Sequence, residues 1–170
     1  MSGSTVSALI ELLQLSPHPE GGYFRETFRA TEQVQRGGAT AVMRAAGTAI
    51  YFLLPAGVFS AWHRVRSDEG WHHYEGAPVE LHTIDPAGVH RITVLGRDLA
   101  RGERPQHVVP AHWLQAAKPV AQSDEAPGFA LCGCTVSPGF EFSDFEMPTR
   151  AALRAAFPPL AAIIDAFTHA

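Results

Sequence analysis

The sequence predicts a mostly β protein, an antiparallel sandwich or barrel, with one helix near its N-terminus and further helices at its C-terminal end. From Gly47 onwards, short apolar runs follow one another and are separated by turns rich in glycine and proline. Apolar residues at helical spacing are confined to the two ends of the chain. There is no internal repeat and no linker, so residues 1–170 are predicted to form a single domain.

The first predicted element is a helix. Either Ser4 or Thr5 can serve as its N-cap, and Pro17 and Pro19 follow its end. Its apolar positions recur at helical spacing and comprise Val6, Leu9, Ile10, Leu12 and Leu13.

A strand is predicted next, over residues 23–30. Its alternation places Phe24, Glu26 and Phe28 on one face. The stretch 33–46 contains adjacent glycines and is predicted to be a loop or the end of a hairpin.

The middle of the chain is predicted to contribute most of the strands. They lie within residues 47–55, 57–65, 69–76, 78–85, 90–96, 106–113 and 128–142. The chain then returns to helix, with Thr149 as the N-cap of residues 150–157 and two prolines before residues 160–167. The apolar stripe of this last segment is expected to pack against the outside of the barrel.

Composition argues against several classes of function. The formal net charge of −4 offers no basic surface for nucleic acid, and no apolar run is long enough to span a bilayer. The N-terminal stretch lacks the basic region and the cleavage pattern of a signal peptide, so we expect a cytoplasmic protein. Cys132 and Cys134 are expected to be reduced thiols that pack in the interior, with a redox or metal role as the alternative.

Candidate chemistry is concentrated between Gly57 and Gly76. His63 lies on one predicted strand and Glu69 opens the next, so pairing of the two strands as a hairpin is expected to bring these side chains together on one face. If that face lines the interior of a barrel, it forms a polar pocket for a small ligand. A carboxylate beside the imidazole would hold its tautomer and raise its basicity, as a general base requires. Alternation places three further residues on the face of Glu69, namely Trp71, His73 and Glu75.

This spacing resembles the first sequence motif of the cupins: Gly, five residues, His-x-His, three residues, Glu, six residues, Gly. Four of the five positions are matched, by Gly57, His63, Glu69 and Gly76. Val65 stands at the position of the second metal-binding His.

The second cupin motif, Pro-x-Gly-x-x-His, is echoed by residues 110–115, where His112 takes the Gly position and Gln115 the His position. A metal site carried over from the resemblance would therefore consist of His63, Glu69 and Gln115. Because glutamine is a weak neutral donor and zinc or iron sites usually contain two or three imidazoles or thiolates, a divalent metal is disfavoured. No cofactor is expected to be required.

The whole chain resembles one branch of the cupins, the DUF985 or Cupin-5 family. The resemblance rests on residues 18–27, 68–72, 109–110 and 136–141. It implies a single cupin jelly-roll β-barrel of the RmlC-like type, commonly a homodimer, and a family without a settled biochemical activity.

A second resemblance, to the dTDP-sugar 3,5-epimerases of the rhamnose pathway, points to a reaction. Residues 57–63 are similar to the stretch whose His removes the proton next to a ketone, which implies that His63 is a base. Residues 24–28 are similar to the N-terminal Phe-x-Glu-Thr-Phe pattern of those enzymes. The substrate-binding Arg of the epimerases corresponds to Gly21, the Arg before the base corresponds to Ser60, and their acid Tyr has no clear counterpart.

Three hypotheses for the function follow. The first is an isomerase, epimerase or lyase acting on a small polar molecule, sugar-like or carbonyl-bearing, with His63 as the base and Glu69 as the group that orients it. The second is a module that binds a small molecule without turnover, and the third is a metal-dependent cupin enzyme. The candidate ligand-binding residues are Tyr23, Arg25, Glu26, Trp71, His72, His73 and Gln115. Strand alternation favours His73 inside the pocket whereas the DUF985 resemblance favours His72, and this choice stays open.

Overall fold

The structure is a computed structural model that describes residues 6–37, 41–120 and 128–169. Its strands are β1 Ser16–Pro17, β2 Tyr23–Arg29, β3 Gln33–Arg36, β4 Val42–Ala45, β5 Thr48–Pro55, β6 Ser60–Val65, β7 Asp68–Gly76, β8 Val79–Ile84, β9 His90–Leu95, β10 Gln106–Val109, β11 Leu114–Pro119, β12 Phe129–Ser137 and β13 Phe145–Glu146. Its α-helices are α1 Val6–Leu13, α2 Arg150–Ala156 and α3 Ala161–Ala166.

The strands form two antiparallel sheets and a separate hairpin. One sheet has the order β1-β2-β5-β12-β7-β10, the other has the order β13-β6-β11-β8-β9, and β3 pairs with β4. Neighbours within each sheet are mostly distant in sequence, which is typical of a jelly roll. The predicted fold class, a mostly β jelly roll with helices at both ends, is confirmed.

The expected hairpin between the strands of His63 and Glu69 is wrong. Strand β6 pairs with β13 and β11, whereas β7 pairs with β12 and β10 in the other sheet. The two side chains therefore approach from opposite sheets across the interior, because the short turn between the strands also carries the chain from one sheet to the other.

Apolar side chains from both sheets fill part of the interior. Phe52, Leu54 and Trp71 of the six-stranded sheet belong to one cluster with Val79 and Leu81 of the five-stranded sheet, all almost completely buried. Burial of apolar surface between two sheets is the main term that stabilises such a sandwich.

Both free cysteines belong to this same interior. Cys132 and Cys134, two residues apart on β12, are buried, as expected for packing thiols.

The helices cover outer surfaces of the sandwich. Leu153 of α2 and Ile164 of α3 pack with Trp62 of the five-stranded sheet, as the apolar stripe predicts. The Thr149 hydroxyl accepts the N–H of Ala152 at 3.2 Å, which confirms the predicted N-cap. No helix in the described part of the chain is long and apolar enough to cross a membrane.

Three local assignments differ from, or lie outside, the sequence prediction. Strand β11 was not predicted, because its Ala-Ala-Lys-Pro end has little β propensity and its position between β6 and β8 determines its structure. The stretch 33–46 forms the hairpin of β3 and β4 on either side of residues that the structure does not describe. The N-cap candidates Ser4 and Thr5 also lie outside the described residues.

Candidate functional site

A cavity of about 90 Å³ lies between the two sheets. Its apolar wall consists of Phe24, Ile50, Phe52, Val65, Val136, Phe140, Phe142 and Phe145. Its other lining residues are His18, Glu20, Glu26, Arg29, Thr48, His63, Glu69, Cys134 and Glu141. A small chamber that combines apolar walls with convergent polar groups is the usual composition of a small-ligand site.

His63 is only 2% exposed and points from β6 into this cavity. Its Nδ1 lies 2.8 Å from the carbonyl oxygen of Ala61. Since a carbonyl oxygen can only accept, Nδ1 carries the proton of the neutral ring and Nε2 presents its lone pair to the cavity. Burial lowers the pKa of His63, so the ring is neutral at pH 7.

Glu20 is the closest acidic partner of His63, and the sequence analysis did not assign it a role. Its carboxyl group is buried, with Oε2 at 3.4 Å from His63 Nε2 and at 3.3 Å from His18 Nδ1. The Ser60 hydroxyl donates to the other oxygen, Oε1, at 2.8 Å. Burial raises the pKa of Glu20 to about 8 despite the Ser60 hydrogen bond, so Glu20 is a neutral carboxylic acid at pH 7.

His18 completes a cluster of three titratable groups. Burial, and to a lesser degree the nearby imidazole of His63, lowers the pKa of His18 to about 4. The N–H of Glu20 donates to His18 Nδ1 at 3.4 Å, so this nitrogen is also an acceptor. The same carboxyl oxygen of Glu20 therefore lies within 3.4 Å of two imidazole nitrogens that can each accept a proton.

A bulge in β6 brings Ser60 and His63 to the same carboxyl group. Between its pairings with Gln115 and Ala117, β6 advances by three residues while β11 advances by two. Residues three apart in a regular strand point to opposite faces, whereas an extra residue in a bulge returns them to the same face. Both side chains consequently reach Glu20.

A glycine turn after Glu20 fixes the position of that residue. Gly21 has a φ of +113°, and a Cβ at this position would lie 2.2 Å from the carbonyl oxygen of Phe59. Only glycine fits so close an approach in that backbone conformation. The signal that could have revealed Glu20 was this Gly-Gly turn directly after a His-Pro-Glu sequence.

Glu69 faces the cavity from the opposite sheet. Gln115 Nε2 donates to its Oε2 at 2.5 Å, and the indole N–H of Trp71 donates to Gln115 Oε1 at 2.9 Å. Cys134 contributes a further side-chain hydrogen bond to Glu69. Burial raises the pKa of Glu69, so this group is also held towards its protonated form. Ala61 and Glu20 are the groups that contact the His63 ring. Glu69 lies at the end of a different chain of hydrogen bonds, which runs from Trp71 through Gln115.

Strand β2 also contains a bulge, which changes which of its side chains face inward. Its pairing with β5 shifts at Thr27, so Phe24, Glu26 and Arg29 line the cavity while Phe28 is 55% exposed. The prediction that Phe28 shares the face of Phe24 and Glu26 is therefore wrong, because the extra residue reverses the alternation.

Arg29 forms an ion-pair network where β2 borders the cavity. It contacts Glu26 at 2.8 Å and Glu141 at 2.7 Å, and it donates to the Phe140 carbonyl at 3.0 Å. The arginine thereby joins β2 to the segment that follows β12, and this segment supplies three of the aromatic wall residues.

The other predicted ligand-binding residues lie outside the cavity lining. Tyr23 packs in the cluster beneath α1, and Arg25 donates to the Leu13 carbonyl at 3.3 Å. Trp71 and Gln115 are buried behind Glu69, where they act as its supporting hydrogen-bonded pair.

The two adjacent histidines of β7 point in opposite directions. His73 is buried, as alternation predicts, and its Nε2 lies 3.0 Å from the Ala77 carbonyl. His72 bonds with Thr135 on the other face at 3.0 Å. Neither imidazole lines the cavity.

The cupin metal positions do not fit a metal ion in this chain. Val65 supplies only methyl groups at one position, and the amide oxygen of Gln115 already accepts the Trp71 N–H. Within residues 6–37, 41–120 and 128–169, no group of three or more His, Cys, Asp or Glu side chains is arranged to hold a metal. Of the candidate ligands His63, Glu69 and Gln115, only one imidazole and one carboxyl group could thus bind a metal ion, which is fewer ligands than zinc or iron sites usually have. The expectation that no cofactor is required stays a prediction.

Comparisons with known sequences agree with this architecture. The family model described as Cupin superfamily (DUF985) matches residues 7–148. The uncharacterized protein YML079W of Saccharomyces cerevisiae is 31% identical over 150 residues, which cover 83% of this chain and 74% of that protein.

Solved structures share this fold. A hypothetical protein from Leishmania major has 36% identity and a TM-score of 0.89, with 98% of this chain and 99% of that chain covered. Protein SO0799 from Shewanella oneidensis has 34% identity and a TM-score of 0.86 over the same shares. Oxalate decarboxylase from Bacillus subtilis has 13% identity and a TM-score of 0.56 over 89% of this chain and 36% of that one, a likeness of fold alone. This chain belongs to the DUF985 family of the cupin superfamily.

Proposed function

We propose that this protein is an acid/base enzyme, an isomerase or a lyase, that moves a proton on a small carbonyl-bearing polar molecule bound between the two sheets. His63 is the base. The observation that carries this proposal is the contact between the neutral Nε2 of His63 and the protonated carboxyl group of Glu20 within a buried cavity.

The Glu20 proton has two possible acceptors, and this allows His63 to act as a base. The carboxylic proton of Glu20 can be donated either to His63 Nε2 or to His18 Nδ1, which lie 3.4 and 3.3 Å from the same oxygen. When it is donated to His18, the lone pair of His63 is available to a substrate. The hydrogen bond from Nδ1 to Ala61 keeps that lone pair directed into the cavity and supports the imidazolium once it forms.

The proposed step balances as a proton transfer without a redox partner. His63 Nε2 takes the proton from the carbon next to the carbonyl, and the electrons of that C–H bond form an enol double bond. Glu69, in the protonated form that its burial favours, gives its carboxyl proton to the carbonyl oxygen. In the second half, Glu69 takes the proton of the hydroxyl group on the neighbouring carbon while His63 returns its proton to the former carbonyl carbon, so that the carbonyl group moves to the neighbouring atom.

The walls restrict the substrate to a small molecule with both polar and apolar parts. A cavity of about 90 Å³ lies well below the ~300–1,000 Å³ of sites for drug-sized ligands. Aromatic rings such as Phe24, Phe52 and Phe145 exclude water around the acid/base groups, which strengthens their electrostatic interactions. The homodimer that the family resemblance implies remains a prediction beside this proposal.

Proton exchange with solvent tests the reaction directly. Wild-type protein is incubated in deuterated water with a panel of small hydroxyketones and keto sugars, and loss of the α-proton signal is followed by NMR. We expect exchange in the wild type, and a reduction of about 10²–10⁴-fold in His63→Ala, as for loss of a general base.

The matched control is His107→Asn, since His107 is a half-buried histidine of β10 that lies outside the cavity. Ligands that raise the unfolding temperature but show no exchange in the wild type would contradict catalysis. They would favour the alternative, a binding module without turnover.

A further inference from the structure

A second depression lies beside the reaction cavity and shares two of its walls. Val65 and Phe145 line both spaces. The second space has a volume of about 500 Å³ and is lined mostly by polar side chains. We call it the basic groove and define it by Arg64, Arg66 and His112.

The basic groove holds an arginine, Arg66, that attracts Glu146 electrostatically but forms no ion pair with it. Arg66 is exposed, and no hydrogen bond or ion pair joins its guanidinium to any residue that the structure describes. Arg64 Nε donates to Glu146 at 2.8 Å, and this is the one hydrogen bond of that guanidinium in the described parts of the chain. Both arginines therefore have N–H groups free for a ligand.

The acidic residues of the groove are already neutralised. Asp144 accepts a bidentate pair of hydrogen bonds from Arg36, both at 2.8 Å, and a second pair from Arg44 at 2.7 and 3.0 Å. Glu146 is paired with Arg64. Two arginines on one aspartate leave an excess of positive charge at this end of the molecule, which favours an anion.

His112 is held at the groove in a backbone conformation that side chains rarely adopt. Its φ is +68°, and its N–H donates to the Val65 carbonyl at 2.8 Å. The preceding N–H, of Ala111, donates to Asp68 at 2.8 Å. Strain of this kind persists where the surrounding structure imposes it, and it is concentrated at functional sites. Glycine would adopt this conformation without strain, yet the position carries an imidazole at the groove.

We propose that the basic groove binds the phosphoryl group of a small phosphorylated ligand whose carbonyl end reaches the reaction cavity past Phe145. The placement of the carbonyl end depends on the function proposed above, whereas the phosphoryl site depends only on the residues of the groove. Two guanidinium groups and an imidazole offer more donors than the two oxygens of a carboxylate can accept, and they suit the three free oxygens of a phosphoryl group. The substrate class is thus a phosphorylated hydroxyketone or keto sugar.

Binding of inorganic phosphate tests the groove without any substrate. Affinity is measured by calorimetric titration at pH 7.5 and constant ionic strength, with acetate as the comparison anion. We expect phosphate to bind more tightly than acetate, and Arg66→Gln to weaken phosphate binding about tenfold or more, as for loss of charge-assisted hydrogen bonds. Arg97→Gln removes the same charge from another exposed, unpaired arginine in the described chain and should leave the affinity unchanged.

A second variant separates binding from folding. His112→Gly removes the imidazole and the strain together, so it should weaken phosphate binding severalfold without lowering the unfolding temperature. Equal affinities of wild type and Arg66→Gln, or equal binding of phosphate and acetate, would overturn the proposal. His63→Ala should bind phosphate like the wild type, so failure of the exchange reaction and failure of the phosphoryl site are read from different measurements.

Discussion

Replacing Glu20 by Gln should stabilise the protein, and the gain should grow as the pH rises. The two side chains have the same shape, and the amide oxygen of glutamine can still accept from the Ser60 hydroxyl. Its amide NH2 group offers two N–H donors to the imidazole nitrogens of His18 and His63, which lie beside the wild-type carboxyl group. The substitution thus preserves the contacts and removes only the ability to ionise.

The magnitude follows from the displaced pKa of Glu20. Burial raises that pKa from 4.5 to about 8, and unfolding returns the carboxyl group to its ordinary value. Between these two values the folded protein holds a proton that the unfolded chain has lost, so the free energy of unfolding falls by about 1.4 kcal/mol per pH unit. The destabilisation is absent below pH 4.5, reaches about 3 kcal/mol at pH 7, and is complete at about 5 kcal/mol above pH 8.

Urea unfolding of wild type and Glu20→Gln at pH values from 5 to 9 measures this effect. The difference between the two proteins should be less than about 1 kcal/mol at pH 5 and should increase to about 5 kcal/mol at pH 9. Glu75→Gln changes the same formal charge at an exposed position of β7 and serves as the control. Parallel stability curves for wild type and Glu20→Gln across this pH range would refute the conclusion that Glu20 is a buried neutral acid.

Three further predictions concern the reaction and the scaffold. Exchange by the wild type should decline only below the usual imidazole pKa of 6.5, because burial lowers the pKa of His63; a pH–rate profile measures this. Gln115→Leu should lower the free energy of unfolding by about 2–4 kcal/mol in urea titrations, because Trp71 loses a buried acceptor and the acid beside it loses a donor. Gly21→Ala should destabilise by several kcal/mol, whereas Gly128→Ala, where an added Cβ would meet no atom within 4 Å, should cost less than about 1 kcal/mol in the same titrations.

The sequence placed His63 and Glu69 in one pocket only on the condition that their shared face is the interior of a barrel. Both side chains line one cavity, although they reach it from opposite sheets and not from one face of a hairpin. The pairing of their strands was not predictable, since it depends on partners far away in the chain. Strand β7 pairs with β12, about 60 residues further on, and a short turn gives no information about such a partner.

Bulges account for most of the remaining differences at the site. An extra residue in a strand shows itself only against the register of its neighbour, so alternation within β2 predicted Phe28 where Arg29 faces inward. The importance of Glu20 was hidden for a related reason. A glutamate next to glycines is ordinarily a solvated turn residue, and its burial depends on Ser60 and His63, forty residues away.

The stability that Glu20 costs is itself an argument for function. A carboxyl group buried beside two neutral imidazoles lowers the stability of the fold at physiological pH, and an amide of the same shape would avoid this cost. The scaffold nevertheless positions the acid with a glycine that approaches a carbonyl oxygen closely and with a bulge that turns Ser60 and His63 towards it. This arrangement keeps a proton on Glu20 and lowers the stability of the folded state. Such a loss of stability is expected of an active site and not of a packing core.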